Sequence, residues 1–347
     1  MKVLFLLDQA PDYREGFLRE LARHCELTVL AHPCETAALT PPRTRAGYEY
    51  IECRKSVGGR VRADFELEQQ IERIKPSIIC VALNLRFPLR IATFLLNPEY
   101  RNRWVWWGQV FGVHDNLVMT RLKRFLLRRA GGVLVYTDDI VRRLKGIDAR
   151  SFDNSQFSEA DFKRLDAVDD GAVNCLFVGR PQPRKRLHLI MDIARRFPRH
   201  NFRLVGPGMR EYFAAVEIPT NVALFPAADG DDLERHFRWA RLVVNPGHAG
   251  LLVMNAACHN RPILIDSQVK HAPEVILARE ADQYFIDFDS DDEVDRFFDV
   301  TCKEAASLAS KGQALYDKAM DKYTVEKMAQ KHMTVFEQVL ERCSGCG

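Results

Sequence analysis

The chain has 347 residues, 47% of them apolar and 28% charged, and its 50 basic against 47 acidic residues leave a formal net charge of +3. That length suits two domains, each able to bury an ordinary core, and the composition excludes a fibre or a disordered chain. The near balance of charge gives no basis for nucleic-acid binding, and no apolar run approaches the roughly 20 residues of a membrane-spanning helix.

The first apolar run, residues 3–7, ends at Asp8. It is too short for the core of a signal peptide and suits a buried first strand, so a cytoplasmic protein is expected. Nine cysteines, an odd number scattered from Cys25 to Cys346, fit a reducing compartment better than a disulfide framework. Cys343 and Cys346 form a CxxC with no second ligand pair nearby and read as a frayed tail.

Further strands are expected at residues 27–30, 77–83, 104–107 and 132–136, with a helix over 13–24. Short apolar runs alternating with amphipathic stretches specify parallel sheets covered by helices. A polar stretch over 151–171 interrupts the pattern, which restarts with strands at 173–178, 202–205, 222–225, 242–244 and 262–265. This gives an α/β chain of two Rossmann-like domains, 1–165 and 166–322, with ligands expected in a cleft between them. Thr324 is an acceptable N-cap for a last helix in the segment 323–347. Val325, Met328, His332, Val335, Phe336 and Val339 fall on one side of it, and it is expected to pack back towards the first domain.

The stretch most informative about chemistry follows the strand at 173–178. The chain turns after Gly179 through two prolines and gathers Arg180, Arg184 and Lys185 before a helix expected near Arg186. At the C-terminal edge of a parallel sheet, such cations and helix N–H groups form a diphosphate site. The alternative is a solvated basic turn. A second strand leads through Asn245-Pro-Gly-His-Ala-Gly250 into a helix expected from Ala249, where Gly247, Ala249 and Gly250 let a phosphate or sugar approach the main chain.

These stretches resemble the donor-binding half of family 4 glycosyltransferases, retaining enzymes of the GT-B fold. In that family a strand ending Val-Gly-Arg, with a lysine five residues on, clamps the donor diphosphate; Gly179, Arg180 and Lys185 match it. Pro246, Gly250, Ala256, Asn260, Pro262 and Ile263 match the family's next stretch, and Pro273 and Glu274 its later Pro-Glu. The resemblance implies transfer of a sugar from a nucleotide-sugar donor to a glycan or lipid-linked acceptor, with no cofactor and no metal. At the two glutamates of the family's E-x7-E motif this chain has Gly247 and Asn255, as in a bacterial surface-polysaccharide branch. Main-chain amides, with His248, Leu251 and Asn255, are then expected to carry more of the donor contact.

On the acceptor side, Asp8, Tyr13 and Arg14 stand in place of the family's glycine-rich first loop. Arg14 reads either as an acceptor or phosphate contact or as a surface charge. Either Gln109 or His114, the latter beside Asp115, takes the place of the family's histidine, a catalytic role for His114 standing against a structural one. Trp104, Trp106 and Trp107 read as core or cleft wall.

Residues 116–137 contain no acid, while Arg121, Lys123, Arg124, Arg128 and Arg129 interleave with leucines and Phe125. Such a helix either lies on the inner face of a membrane as a peripheral contact or packs on the core with a solvated basic face. Acidic clusters at 229–232 and 289–292 precede helical patterns and read as N-caps and dipole partners, not as a metal site. The rival functions are a GT-B-fold nucleotide-sugar epimerase or hydrolase, and a non-catalytic nucleotide-sugar-binding partner of an assembly complex. A dehydrogenase is disfavoured because no strand leads into GxGxxG.

Overall fold

The computed structural model describes residues 1–34, 41–53, 64, 66–111, 116–165, 173–300 and 304–344. The chain forms two compact units, Met1–Ser158 with Thr324–Gly347, and Glu159–Tyr323. The segment 159–165 goes with the second unit because Lys163 N donates to Cys258 O at 2.8 Å and Arg261 Nη1 to Leu165 O at 2.6 Å. The division therefore falls at 158/159 and 323/324, where the sequence suggested 165/166 and 322/323.

Unit 1 holds seven strands: β1 Lys2–Gln9, β2 Glu26–His32, β3 Glu49–Glu52, β4 Ile78–Ala82, β5 Trp104–Gly108, β6 Gly132–Val135 and β7 Arg150–Ser151. They run parallel in the order β3-β2-β1-β4-β5-β6-β7. Alternation along β1 sends Val3, Phe5 and Leu7 to one face and Leu4 and Leu6 to the other. Trp107 joins the first face, and Trp104 and Trp106 the second, so all three tryptophans are core. The helix Glu15–Ala22 covers the first face together with the helix Val325–Ser344. Thr324 Oγ1 accepts from the Lys327 amide at 3.3 Å, and the six side chains expected along one side of that last helix are all buried.

Unit 2 holds β8 Asn174–Val178, β9 Asn201–Val205, β10 Val222–Phe225, β11 Leu242–Asn245, β12 Ile263–Asp266 and β13 Tyr284–Ile286. All pair in parallel, in the order β10-β9-β8-β11-β12-β13. In each sheet the strand order reverses once, between β1 and β4 and between β8 and β11. Successive crossovers leave opposite faces at that point, which opens a crevice beyond the carboxyl ends of the two strands.

Three helix starts differ from expectation. Residues 12–14 form a 3-10 turn before the helix Glu15–Ala22; Pro183–Lys185 is a second 3-10 turn, ahead of the helix His188–Arg196; and the helix after β11 is Leu252–Cys258, leaving 246–251 as a loop. Proline is suited to the start of Pro183–Lys185, and the left-handed Arg186 (φ 52°) ends that turn before a regular helix can begin.

Candidate functional site

The crevice of unit 2 is built from the segments that leave β8 and β11. Beyond β8, Gly179 has φ 151° and its carbonyl oxygen lies 2.0 Å from where a Cβ on Gly206 would be, so the chain passes here only with glycine at both places. The turn that follows is clasped to the loop after β11 in both directions. His248 N donates to Arg184 O at 2.9 Å, and Lys185 Nζ donates to His248 O at 2.6 Å. Between them sits Gly247, where a Cβ would lie 2.4 Å from Arg184 O and 2.5 Å from the Lys185 carbonyl carbon. No side chain fits at position 247.

A third segment, beyond β12, locks the loop from its other side. Asp266, fully buried, accepts from Arg186 Nη1 at 2.9 Å and from the amides of Gln268 and Val269 at 2.7 and 3.1 Å. His271 accepts from Ala249 N at Nδ1 (3.0 Å) and so carries its proton on Nε2, which donates to Asp266 O at 2.7 Å. The opposite tautomer holds at His248, whose Nδ1 donates to Lys270 O at 2.7 Å and leaves Nε2 as an acceptor. Burial, together with nearby Arg184 and Lys185, pushes the His248 imidazole below its ordinary value, and burial does the same for His271.

The charge at the centre is cationic. Lys185 is pushed down to about 8, first by burial and then by the positive charge of Arg184 and Arg180. Arg180 and Lys185 therefore share one electrostatic environment, with Arg180 at the exposed end. Positive charges so placed repel one another, and an anion relieves that repulsion.

The other donor-side residues surround this centre. Pro246 is buried, and Gly250 and Leu251 are half-buried in the loop. Asn255 turns its Nδ2 back to Leu251 O, just ahead of its own helix, at 3.1 Å. Glu274 is 8% exposed at the start of the helix Val275–Glu280, near enough to His248 to act on its titration. Sequence reasoning passed over Arg186, Asp266, His271 and Asn245. Asn245 closes β11 fully buried, with neither amide atom partnered among the described residues. A lone asparagine ending an apolar strand at the carboxyl edge was the signal available for it.

Unit 1 has a network at its own strand reversal. Asp8 accepts from Asn84 Nδ2 and Arg90 Nη1, both at 2.6 Å, and keeps 39% side-chain exposure. Arg90, fully buried, also holds Asp64 Oδ2 at 2.6 Å through Nε, while Asp64 Oδ1 bonds His32 Nε2 at 2.7 Å. His32, Cys53 and Asp64 bring ligand-type atoms within 4.8 Å of one another, but the positive charge this carboxylate faces is the Arg90 guanidinium.

Of the two readings of Arg14, its burial removes the surface charge. Arg14 is 5% exposed, bonds Asn154 Oδ1 and Tyr136 OH (the latter 2.7 Å), and lies 5.0 Å from the Trp107 ring centroid. Tyr13 is half-buried beside it. Gln109 is exposed at the end of β5, between Gly108 (φ 127°) and Val110 (φ 57°). A left-handed β-branched residue is a strained conformation of the kind found at functional sites. His114 and Asp115, like Cys346, lie outside the described residues.

No family model and no curated protein matches the chain by sequence. Solved structures do match in fold. Sucrose-phosphate synthase from Thermosynechococcus elongatus superposes with TM-score 0.73 at 12% identity, covering 99% of this chain and 100% of that one. A glycosyltransferase from Rickettsia africae gives TM-score 0.70 at 9% identity over 97% of this chain and 98% of its own. Anabaena HepE, solved in complex with UDP, gives 0.67 at 14% identity over 99% and 100%. The likeness shows the GT-B fold.

Proposed function

We propose that the protein is a glycosyltransferase that takes a sugar from a nucleoside-diphosphate sugar. The observation that carries the reading is the clasp at the β8/β11 reversal: Lys185 Nζ bonded to His248 O, its charge coupled to Arg180 and Arg184. A diphosphate is the ligand that such a cationic cluster suits, and the strand reversal is where open parallel sheets bind nucleotides. The UDP in HepE, a protein of the same fold, supports the same ligand class.

As in the family 4 enzymes the sequence resembles, transfer proceeds with retention and without a metal or cofactor. The bond from the anomeric carbon to the diphosphate oxygen breaks, the acceptor oxygen bonds to that carbon on the same face, and its proton passes to the departing diphosphate. Arg180 and Lys185 stabilise the negative charge that grows on the leaving group. Gly247 and Asn255 supply no carboxylate to hold the sugar, so main-chain groups of 247–251 and the acceptor nitrogen of His248 take that part. Asp8, Tyr13 and Gln109 in unit 1 are assigned to the acceptor, a glycan or lipid-linked sugar of a surface polysaccharide.

The test is a transfer assay with nucleotide-sugar and acceptor panels, the product anomer read by NMR. Arg180→Ala or Lys185→Ala is expected to lower turnover roughly 10²-fold, the loss of one preorganised donor. Nucleotide release or donor isomerisation without an acceptor would favour a hydrolase or epimerase, and donor binding without turnover a non-catalytic partner.

A further inference from the structure

We infer that the helix Leu117–Leu127 is a docking surface for an anionic lipid bilayer. Among the described residues ten large apolar side chains are exposed, and five of them, Leu117, Val118, Met119, Leu122 and Phe125, stand on this one helix. Its inner stripe of Lys123, Leu126 and Leu127 is buried, the two leucines in the core of unit 1. The spacing of Val118, Leu122 and Phe125 lines them along a second stripe, roughly 125° round the helix from the first, so the helix presents one apolar stripe to the core and another to solvent.

The outward stripe is framed by positive charge. Arg121 and Arg128 are exposed, and Arg129 stacks its guanidinium 3.6 Å from the Phe125 ring centroid. Arg124, half-buried, is tied down by Arg143 O at 2.6 Å. The absence of any acid from residue 116 to 137 leaves the surrounding cations unneutralised by this segment. The one lysine of the helix is turned inward, its Nζ bonded to Val110 O at 2.6 Å. Asn116 Oδ1 caps the helix by accepting from Met119 N at 2.9 Å, so the exposed first turn is held in helical form.

Apolar side chains outward with arginines at their rim is the arrangement of a helix lying in the headgroup region, its apolar stripe reaching the acyl chains and its arginines the phosphates. A second copy of the chain would bring the same arginines against each other, so charge complementarity selects the bilayer. The inference stands apart from the transferase reading, since lipid binding is measured without any nucleotide sugar.

The experiment is co-sedimentation of the full chain with vesicles of phosphatidylcholine, with and without an equal part of phosphatidylglycerol. The protein is expected to sediment with the anionic vesicles, and less so as salt is raised. Arg121→Gln with Arg128→Gln weakens that partitioning by roughly 25-fold, about fivefold per charge. Leu122→Ser with Phe125→Ser weakens it by at least about tenfold through lost apolar burial. All four side chains are solvent-exposed or nearly so, and an unchanged melting temperature confirms that each double variant is folded. Failure to sediment with anionic vesicles, equal binding to neutral ones, or binding that survives both double variants overturns the inference. Self-association in solution that Leu122→Ser with Phe125→Ser abolishes, without lipid binding, overturns it in favour of a second copy.

Discussion

The ammonium of Lys185 donates to the carbonyl oxygen of His248 at 2.6 Å, joining the segment that leaves β8 to the one that leaves β11. The two segments are in main-chain contact at Gly247, so cation and loop move as one piece. The site is a clasp whose charge is set by one end and whose shape is set by the other.

Gly247→Ala tests the shape. An added methyl meets backbone atoms of 184 and 185 that have no flexible end to yield. Unit 2 is expected to lose about 1–3 kcal/mol, the ordinary cost of overpacking, and nucleotide-diphosphate affinity to fall about tenfold or more as the turn is pushed off the loop. Denaturant melts and calorimetry on the same variant measure both. An alanine that leaves affinity intact would show that the turn does not shape the site.

The charge is tested by pH. Lys185, pushed down to about 8, is raised again when an anion docks beside it, so binding takes up a proton. Affinity for a nucleoside diphosphate is expected to be full below about pH 8 and to fall as pH rises through it. Titration calorimetry near pH 8.5 in buffers of different ionisation enthalpy reads the uptake directly. The folded value lies below the unfolded one of 10.5, so stability contributed through this group rises with pH between about 8 and 10.5.

A buried histidine contributes to the acid sensitivity of unit 1. His332 is fully buried, accepts from Trp107 Nε1 at 2.9 Å and donates from Nδ1 to Met328 O at 2.7 Å. Burial, aided by Arg14 and Lys331, pushes it down to about 3 from 6.5. The unfolded chain therefore binds a proton that the folded one refuses, and stability is lost as pH falls from about 6.5 towards 3. Unfolding melts across that window should show a slope that His332→Gln reduces, at a cost of about 1–3 kcal/mol at neutral pH for the disturbed bonds.

Much of this was legible in the sequence where a strand is buried on both faces. Central strands such as β1, β4, β8 and β11 read as apolar runs and were placed within a residue or two. β3, β7 and β13 went unread because short edge strands carry no such run: β3 is Glu-Tyr-Ile-Glu with no fully buried residue, and β7 has two residues. Gly179, Arg180 and Lys185 could be found from type and spacing. The clasp could not, because the close approach of Gly247 to 184–185 is a tertiary fact. Asn260, before the strand β12, adopts φ 54°, which asparagine tolerates. Which of the two readings of Arg14 to drop could not be told from sequence, because the groups that bury it, Asn154 and Trp107, lie far from it along the chain.

The central claim is that Arg180 and Lys185 hold one diphosphate, and titration of UDP, GDP and CDP into the wild-type chain and into Lys185→Met at pH 7 tests it most directly. The account predicts one nucleoside diphosphate bound per wild-type chain and an affinity at least about tenfold weaker in the variant, the scale of a lost charge-assisted hydrogen bond of about 1.5–3 kcal/mol. Equal affinity in the two proteins, or no heat with any of the three nucleotides, would contradict it.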